Sequence, residues 1–137
     1  MTPVAGYSGT PLVTKLGIKP GMVVALLGAP DHVDELLVGL PEAVTFRRRA
    51  QGHLDLALSF QRERAVLERR LPAVLRGLRR DGALWVAWPK KASKVPTDIT
   101  EDTVREVVLP LGLVDVKVCA IDDTWSGLKV VWRRENR

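Results

Sequence analysis

Lys90, Lys91 and Lys94 follow directly on an apolar run at residues 84–88, and Asp122, Asp123 and Trp125 share a later polar turn at residues 122–127. These residue types suggest binding chemistry. Ammonium groups hold anions, carboxylates complement the lysines, and an indole supplies a flat wall. Tyr7 and Ser8, between Gly6 and Gly9, are candidates to fold over the same place. Arg47, Arg48 and Arg49 form a separate candidate for holding an anion.

Residues suited to catalysis are scarcer. Cys119 is the single cysteine, and His32 and His53 are the only histidines. A catalytic thiolate needs a neighbouring base, and nothing in the order of residues puts a histidine beside Cys119. That cysteine reads as a small buried hydrophobe in a strand. There is no HExxH, CxxC or facial-triad spacing for a metal, no G-x-S-x-G elbow and no P-loop. The sequence therefore leans toward binding rather than catalysis, with no catalytic residues, metal or cofactor expected.

Such residues need elements to position them. Thr10-Pro11 opens a helix whose apolar face is Leu12, Val13 and Leu16, and Gly17 ends it. Lys19-Pro20-Gly21 is a turn, and residues 22–27 form a buried strand. Val33, Leu36, Leu37 and Leu40 have helical spacing. Residues 44–48 and 54–60 are strands. Leu67, Leu71, Val74, Leu75 and Leu78 stripe a long helix that contains Pro72 and ends at Asp81-Gly82. Residues 84–88, with no polar member, suit a strand covered on both faces. Thr100 caps a further helix, with Ile99 and Val104 as a hydrophobic staple. Residues 114–121 and 128–132 close the chain as a hairpin.

Strands thus alternate with helices until the final hairpin. Parallel strands need long crossovers, which helices supply. The expected fold is α/β: a three-layer sandwich with a mostly parallel sheet and one antiparallel strand near an edge. Parallel strands bring their carboxyl ends to one edge, where ligands bind. That edge gathers residues 28–32, Gln61, Arg62, residues 89–94 and residues 122–125. Asp31, Asp34 and Glu35 in the first turn of the second helix repel a phosphate there, so an anion is expected beside Lys90 and Lys91 or beside Arg47, Arg48 and Arg49.

At 137 residues, 46% hydrophobic and 27% charged, the chain has the composition of one globular domain. No apolar run approaches the length of a membrane span. The N-terminus lacks the basic and apolar regions of a secretory signal, so cytoplasmic residence is expected. Residues 47–80 hold ten arginines against Asp55, Glu63 and Glu68, a net +7 in a chain of net +5. That segment makes RNA or DNA an alternative partner, although Phe46 and Phe60, the only aromatics in the middle of the chain, sit in strand patterns rather than as stacking platforms. Oligomeric state is left open.

Two resemblances add to this reading. Lys19-Pro-Gly-Met-Val-Val-Ala-Leu-Leu-Gly28 and Asp81-Gly-Ala-Leu-Trp-Val-Ala-Trp-Pro-Lys90 resemble the opening and a late strand of class I, S-adenosylmethionine-dependent methyltransferases. This implies a Rossmann- or methyltransferase-like sheet with a C-terminal antiparallel hairpin, lacking one strand and at least one helix of its first half. The pattern departs where the cofactor binds. Gly28 is followed by Ala29, Pro30 and Asp31 rather than spaced glycines, and Arg47, Arg48 and Arg49 stand where an acidic residue holds the ribose. S-adenosylmethionine is accordingly not expected, and a divergent methyltransferase or nucleotide-dependent enzyme is the alternative to a non-catalytic module for a small anion or a protein. Ala5-Gly-Tyr-Ser-Gly-Thr-Pro-Leu12, Trp85-Val-Ala-Trp-Pro-Lys-Lys91, Thr97-Asp98 and Cys119-Ala-Ile-Asp-Asp-Thr-Trp-Ser-Gly127 resemble the bacterial domain of unknown function 3052 family. That resemblance spans nearly the whole chain and implies a single cytoplasmic domain.

Overall fold

The computed structural model describes residues 10–137. Six strands form one sheet: β1 (Val23–Leu27), β2 (Thr45–Arg47), β3 (Leu54–Phe60), β4 (Leu78–Pro89), β5 (Leu113–Ala120) and β6 (Trp125–Trp132), in the spatial order β2-β1-β3-β4-β6-β5. β1 to β4 run parallel, and β6 is antiparallel to both β4 and β5. Helices α1 (Leu12–Leu16) and α2 (Val33–Leu36) cover one face, and α3 (Arg64–Gly77) and α4 (Glu101–Val108) cover the other. This is the expected three-layer arrangement. Tyr7 and Ser8 lie outside the described residues.

The middle of the sheet shows why the apolar run has no polar member. Successive side chains of a strand point to opposite faces. Leu84, Val86 and Trp88 pack with Leu67, Leu71 and Val74 of α3. Trp85 and Ala87 pack with Val13 and Leu16 of α1. Each face has its own helix layer, so every position in the run is inside. Trp85 is fully buried and its indole N–H donates to the Leu16 carbonyl at 2.9 Å, which ties β4 to the end of α1.

The expected long helix stops earlier than Asp81-Gly82. α3 ends at Gly77, where a Cβ would sit 2.1 Å from the Gly52 carbonyl oxygen, and Leu78 already pairs with Leu54. Ala83 pairs with Leu56, so residues 79–82 bulge opposite Asp55. Gly82 fits there because a Cβ would meet the Asp55 carbonyl at 2.7 Å. Pro72 stands inside α3 without ending it.

Three other boundaries differ. α2 is a single turn: Gly39 takes φ 83°, and Val38 and Leu40 are exposed rather than on a buried stripe. Pro11 occupies the N-cap of α1, not its first helical position, and no side chain caps that helix. β6 begins at Trp125, not Leu128, so the hairpin turn is shorter than its composition suggests. The α4 signals hold: Thr100 and Thr103 form a reciprocal capping box, and Ile99 and Val104 are buried in one cluster. No helix among the described residues is long and apolar enough to cross a membrane.

Trp85→Phe keeps most of the buried ring but leaves the Leu16 carbonyl without its donor. A buried acceptor left unpaired costs about 1–3 kcal/mol. Chemical denaturation is expected to show a loss of that size, with α1 becoming the first segment to exchange its amide protons.

Candidate anion-binding groove

The carboxyl ends of β1, β3 and β4 meet the start of β6 at one edge, as parallel topology requires. Gly28 leaves β1 with φ 64°, and a Cβ there would lie 2.6 Å from the Phe60 carbonyl oxygen. Only glycine lets the ends of β1 and β3 approach so closely. Beyond Phe60, the Gln61 N–H continues the ladder to the Ala87 carbonyl at 2.8 Å. Gln61 and Ser59 are the buried polar side chains of this edge, and they satisfy one another through a 2.9 Å bond from Gln61 Nε2 to Ser59 Oγ.

α3 starts here without a cap of its own, because Glu63 makes no capping bond. A distant segment supplies one. Asp98 Oδ1 accepts from the Arg64 N–H at 2.7 Å, while the Thr97 hydroxyl and the Asp98 N–H both donate to the Arg62 carbonyl, at 2.6 and 3.2 Å. A carboxylate at a helix N-terminus also complements its dipole. The loop before α4 thus fixes the strand-to-helix corner that carries Arg62.

The resulting groove has a volume of about 470 Å³. Gly28, Pro30, Phe60, Trp125, Val66 and Val95 supply its less polar walls. Gln61, Thr124, Arg62, Glu63 and Arg70 supply its polar atoms. Phe60 and Trp125 meet edge to face, with ring centroids 5.0 Å apart and planes at 89°. Neither Arg62 nor Arg70 has a carboxylate oxygen within 4 Å among the described residues, whereas the neighbouring Arg64 is paired with Glu106 at 2.7 Å and Glu68 at 3.6 Å.

Among the described residues, Trp125 is the one expected site residue that lines this groove. Asp122 shapes the turn before it: Oδ1 accepts from the Thr124 and Trp125 N–H groups at 2.8 and 2.7 Å, and Oδ2 pairs with His32 Nε2 at 2.9 Å. Burial pushes its carboxyl up, but the His32 and backbone hydrogen bonds outweigh burial and hold it below the usual carboxylate range. The anticipated lysine–aspartate pairing does not form. No ammonium of Lys90, Lys91 or Lys94 comes within 4 Å of Asp122 or Asp123 in the ion pairs of the described residues. What joins those segments is backbone, the Lys90 N–H donating to the Thr124 carbonyl at 2.7 Å. Lys91 and Asp123 are exposed, and Lys94 ends a short 3-10 turn with φ 62°.

The basic stretch divides its charge among several jobs. Arg47 donates to the Gln51 carbonyl, while Arg48 and Arg49 are exposed. A second groove, of about 520 Å³ at the other end of the sheet, is lined by His53, Arg76, Arg79, Arg80, Asp81 and Arg137. There Arg79 is drawn to Asp55 and Asp81 at 3.6 and 3.5 Å, and the Arg80 guanidinium lies 4.1 Å over the Trp132 ring. Cys119 is half-buried, and burial pushes its thiol up against the pull of Lys15 and Lys117, the reverse of an activated nucleophile.

The architecture has known counterparts. A methyltransferase from Aquifex aeolicus, described as dependent on S-adenosylmethionine, superposes with a TM-score of 0.60 over 87% of this chain and 86% of its own, at 14% identity. The ribosomal protein L11 methylase of Lactobacillus delbrueckii superposes at 0.56, covering 90% of this chain and 75% of that one at 12% identity. Magnesium protoporphyrin IX methyltransferase of Synechocystis PCC 6803, solved with S-adenosylmethionine, gives 0.56 at 12% identity over 89% and 74%. The chain has a methyltransferase-like fold. No family model and no curated protein matches its sequence.

Of the groove residues, Gly28, Pro30, Gln61, Arg62, Thr124 and Trp125 were foreseeable as strand-end neighbours. Arg70, Val66 and Val95 were not. Arg70 follows Val66 by one helical turn, so the two share a face of α3 once its start is known, but sequence spacing cannot say that this face looks across at Trp125.

Two tests follow from this geometry. Asp98→Ala removes the cap supplied to α3 from afar and is expected to lower stability by about 0.5–2 kcal/mol in denaturant titration. The Asp122 carboxyl is lowered in the fold, so its share of stability is present above the unfolded carboxylate range, about pH 4. It is lost as pH falls through the lower folded value. The stability gap between the wild-type chain and Asp122→Asn is therefore expected to be widest at about pH 6 and to narrow by about pH 3.

Proposed function

We propose that this chain is a non-catalytic binding module that holds a small anionic ligand in the groove beside Arg62 and Arg70. One observation carries the reading: two guanidinium groups with no carboxylate oxygen within 4 Å among the described residues line an open groove together with the Phe60–Trp125 pair. Arginine presents a planar fork of donors suited to carboxylate or phosphate oxygens, and the Phe60–Trp125 pair offers apolar surface to the rest of a ligand. Lys90, Lys91 and Lys94 remain candidates to join from the adjoining loop, with Tyr7 and Ser8 from the N-terminal segment.

S-adenosylmethionine is the second reading, because proteins of similar fold are solved with it or with its demethylated product. The fold makes it a ligand to test rather than one to set aside, as the sequence suggested. The residues at its customary holding points do not match it. Gly28 stands alone, Pro30 has no N–H to donate, and β2 ends in Arg47, whose guanidinium is engaged with Gln51 rather than replaced by a carboxylate for ribose hydroxyls. No step of methyl transfer is therefore assigned to these residues.

Membership of the domain of unknown function 3052 family belongs with this proposal. Three of the segments that suggest it, residues 85–91, 97–98 and 119–127, lie beside residues of the groove. β4 runs into Lys90, Thr97 and Asp98 grip Arg62 and Arg64, and the β5–β6 turn presents Trp125.

The test is a thermal-shift panel of ATP, citrate, S-adenosylmethionine and S-adenosylhomocysteine, followed by calorimetry on any hit. Ligand at a hundred times its dissociation constant stabilises by about 2.7 kcal/mol. Arg62→Ala and Arg70→Ala are each expected to weaken a bound anion about tenfold or more, since hydrogen bonds to charged groups are worth about 1.5–3 kcal/mol. Unchanged affinity in the double variant would sink the groove reading. Methyl-donor turnover would replace it with the enzyme reading. Binding to duplex RNA that falls steeply with salt and is lost when Arg47, Arg48 and Arg49 become Ala would favour the basic segment instead.

A further inference from the structure

Away from the groove, one row of side chains crosses the face of the sheet that carries α1. Lys129 on β6 stands opposite Trp85 on β4 and opposite Lys117 on β5. Trp85 belongs to the α1 face, since its indole bonds Leu16, so residues in register with it share that face. The Lys117 ammonium lies 6.0 Å from the Trp85 ring centroid.

Two lysines directly opposite in an antiparallel pair destabilise the sheet, and a carboxylate beside them is the ordinary remedy. None is present: no carboxylate oxygen lies within 4 Å of either ammonium among the described residues, and residues 1–9 contain no Asp or Glu. Asp115, nearby on β5, is bonded to Arg105 of α4 at 3.0 Å, on the other face.

More positive charge gathers from α1. Lys129 is half-buried, with its ammonium 4.0 Å from where a Cβ on Gly17 would sit, and Lys15 and Lys19 flank that glycine. The end of a helix attracts cations through free carbonyls, but three of the last four in this short helix already accept. The Val13, Thr14 and Leu16 carbonyls receive the Ile18 N–H, the Gly17 N–H and the Trp85 indole, at 3.1, 3.1 and 2.9 Å. Burial, followed by Lys117 and Lys19, pulls the Lys129 ammonium below the usual lysine range, with no acidic group acting the other way. A charge held half-buried without a partner is costly.

We propose that Lys117 and Lys129, with Lys15 and Lys19 at the rim, form a second anion site that binds a phosphate group. Its source is either a small phosphate or the backbone of a nucleic acid. Lysine acts at such a site as a compact point charge.

The experiment follows thermal unfolding of the full chain at low ionic strength in phosphate-free buffer. Inorganic phosphate is then added, or sodium chloride at matched ionic strength. The wild-type chain is expected to gain a few degrees with phosphate and much less with chloride. Lys117→Gln relieves the like-charge pair, so it is expected to unfold at a higher temperature than wild type without phosphate, and to lose most of the phosphate gain. These opposite signs separate a ligand site from a merely structural lysine. Lys129→Met, which keeps the length of the apolar stem, is expected to behave likewise, and Lys117→Arg to retain most of the gain. Pyrophosphate and a short RNA duplex identify the source: stabilisation by the first points to a small ligand, and by the duplex alone to a phosphodiester backbone. An equal phosphate gain in wild type and Lys117→Gln, or a gain reproduced by chloride, overturns the proposal. In the Arg62→Ala, Arg70→Ala background, where groove binding is removed, the phosphate gain that remains is expected to be abolished by Lys117→Gln, so failure of the groove does not decide this site.

Discussion

The bond from the Trp85 indole to the Leu16 carbonyl is the point on which the two halves of the sandwich depend. Trp85 occupies the middle of β4, which pairs with β3 on one side and β6 on the other. Its ring fills the α1 face while Leu84 and Val86 fill the α3 face. An indole so deeply placed needs an acceptor, and α1 is a five-residue helix with little stability of its own. The bond answers both needs at once, because the ring gains an acceptor and the helix gains an anchor. Trp132 shows the alternative: its Nε1 is buried with no partner among the described residues, and the Arg80 guanidinium over its ring supplies contact without accepting the proton.

With β4 fixed, the ends of the parallel strands have to align, and the site edge follows from local bonds that each solve a structural problem. Gly28 permits the approach to Phe60. Asp98 caps α3 from the loop before α4. Asp122 closes the last turn. Each of these polar residues is engaged with backbone or with a neighbour, which is why the adjacent Arg62 and Arg70 stand out. They are the two cations lining the groove, and neither has a carboxylate partner among the described residues. The same reasoning separates Arg64, Arg79 and Arg105, all paired with carboxylates, from the lysines beside Trp85.

Much of this was legible in the sequence, and the limits have physical causes. The alternation of strands and helices, the doubly covered β4 and the α4 cap depend on local patterns, so the layers and the edge where strands end could be read. Boundaries failed where long-range contacts decide them. Nothing near Asp81 signals that α3 stops at Gly77 because Gly52 crowds it, and the stripe at Leu36, Leu37 and Leu40 is broken by a glycine whose conformation only tertiary context selects. The site was legible at the level of segments but not of side chains. Lys90 and Asp122 do come together, yet through Lys90 N–H and a turn. Sequence proximity to a strand end says where the backbone goes, while the direction of a long side chain depends on neighbours contributed from elsewhere.

In this methyltransferase-like fold, the residues that packing constrains are separate from those at the strand ends. β1, β3, β4 and the closing hairpin bury the two cores, so their apolar patterns are constrained by stability. The Gly28–Pro30 corner and the end of β2 are exposed or only partly buried, so the two cores constrain their residues less. Arg62 stays in place because its own carbonyl is gripped by Thr97 and Asp98, a constraint indifferent to which ligand occupies the groove. The position of that edge is thus set by the fold, and the charge it presents by a few exposed cations.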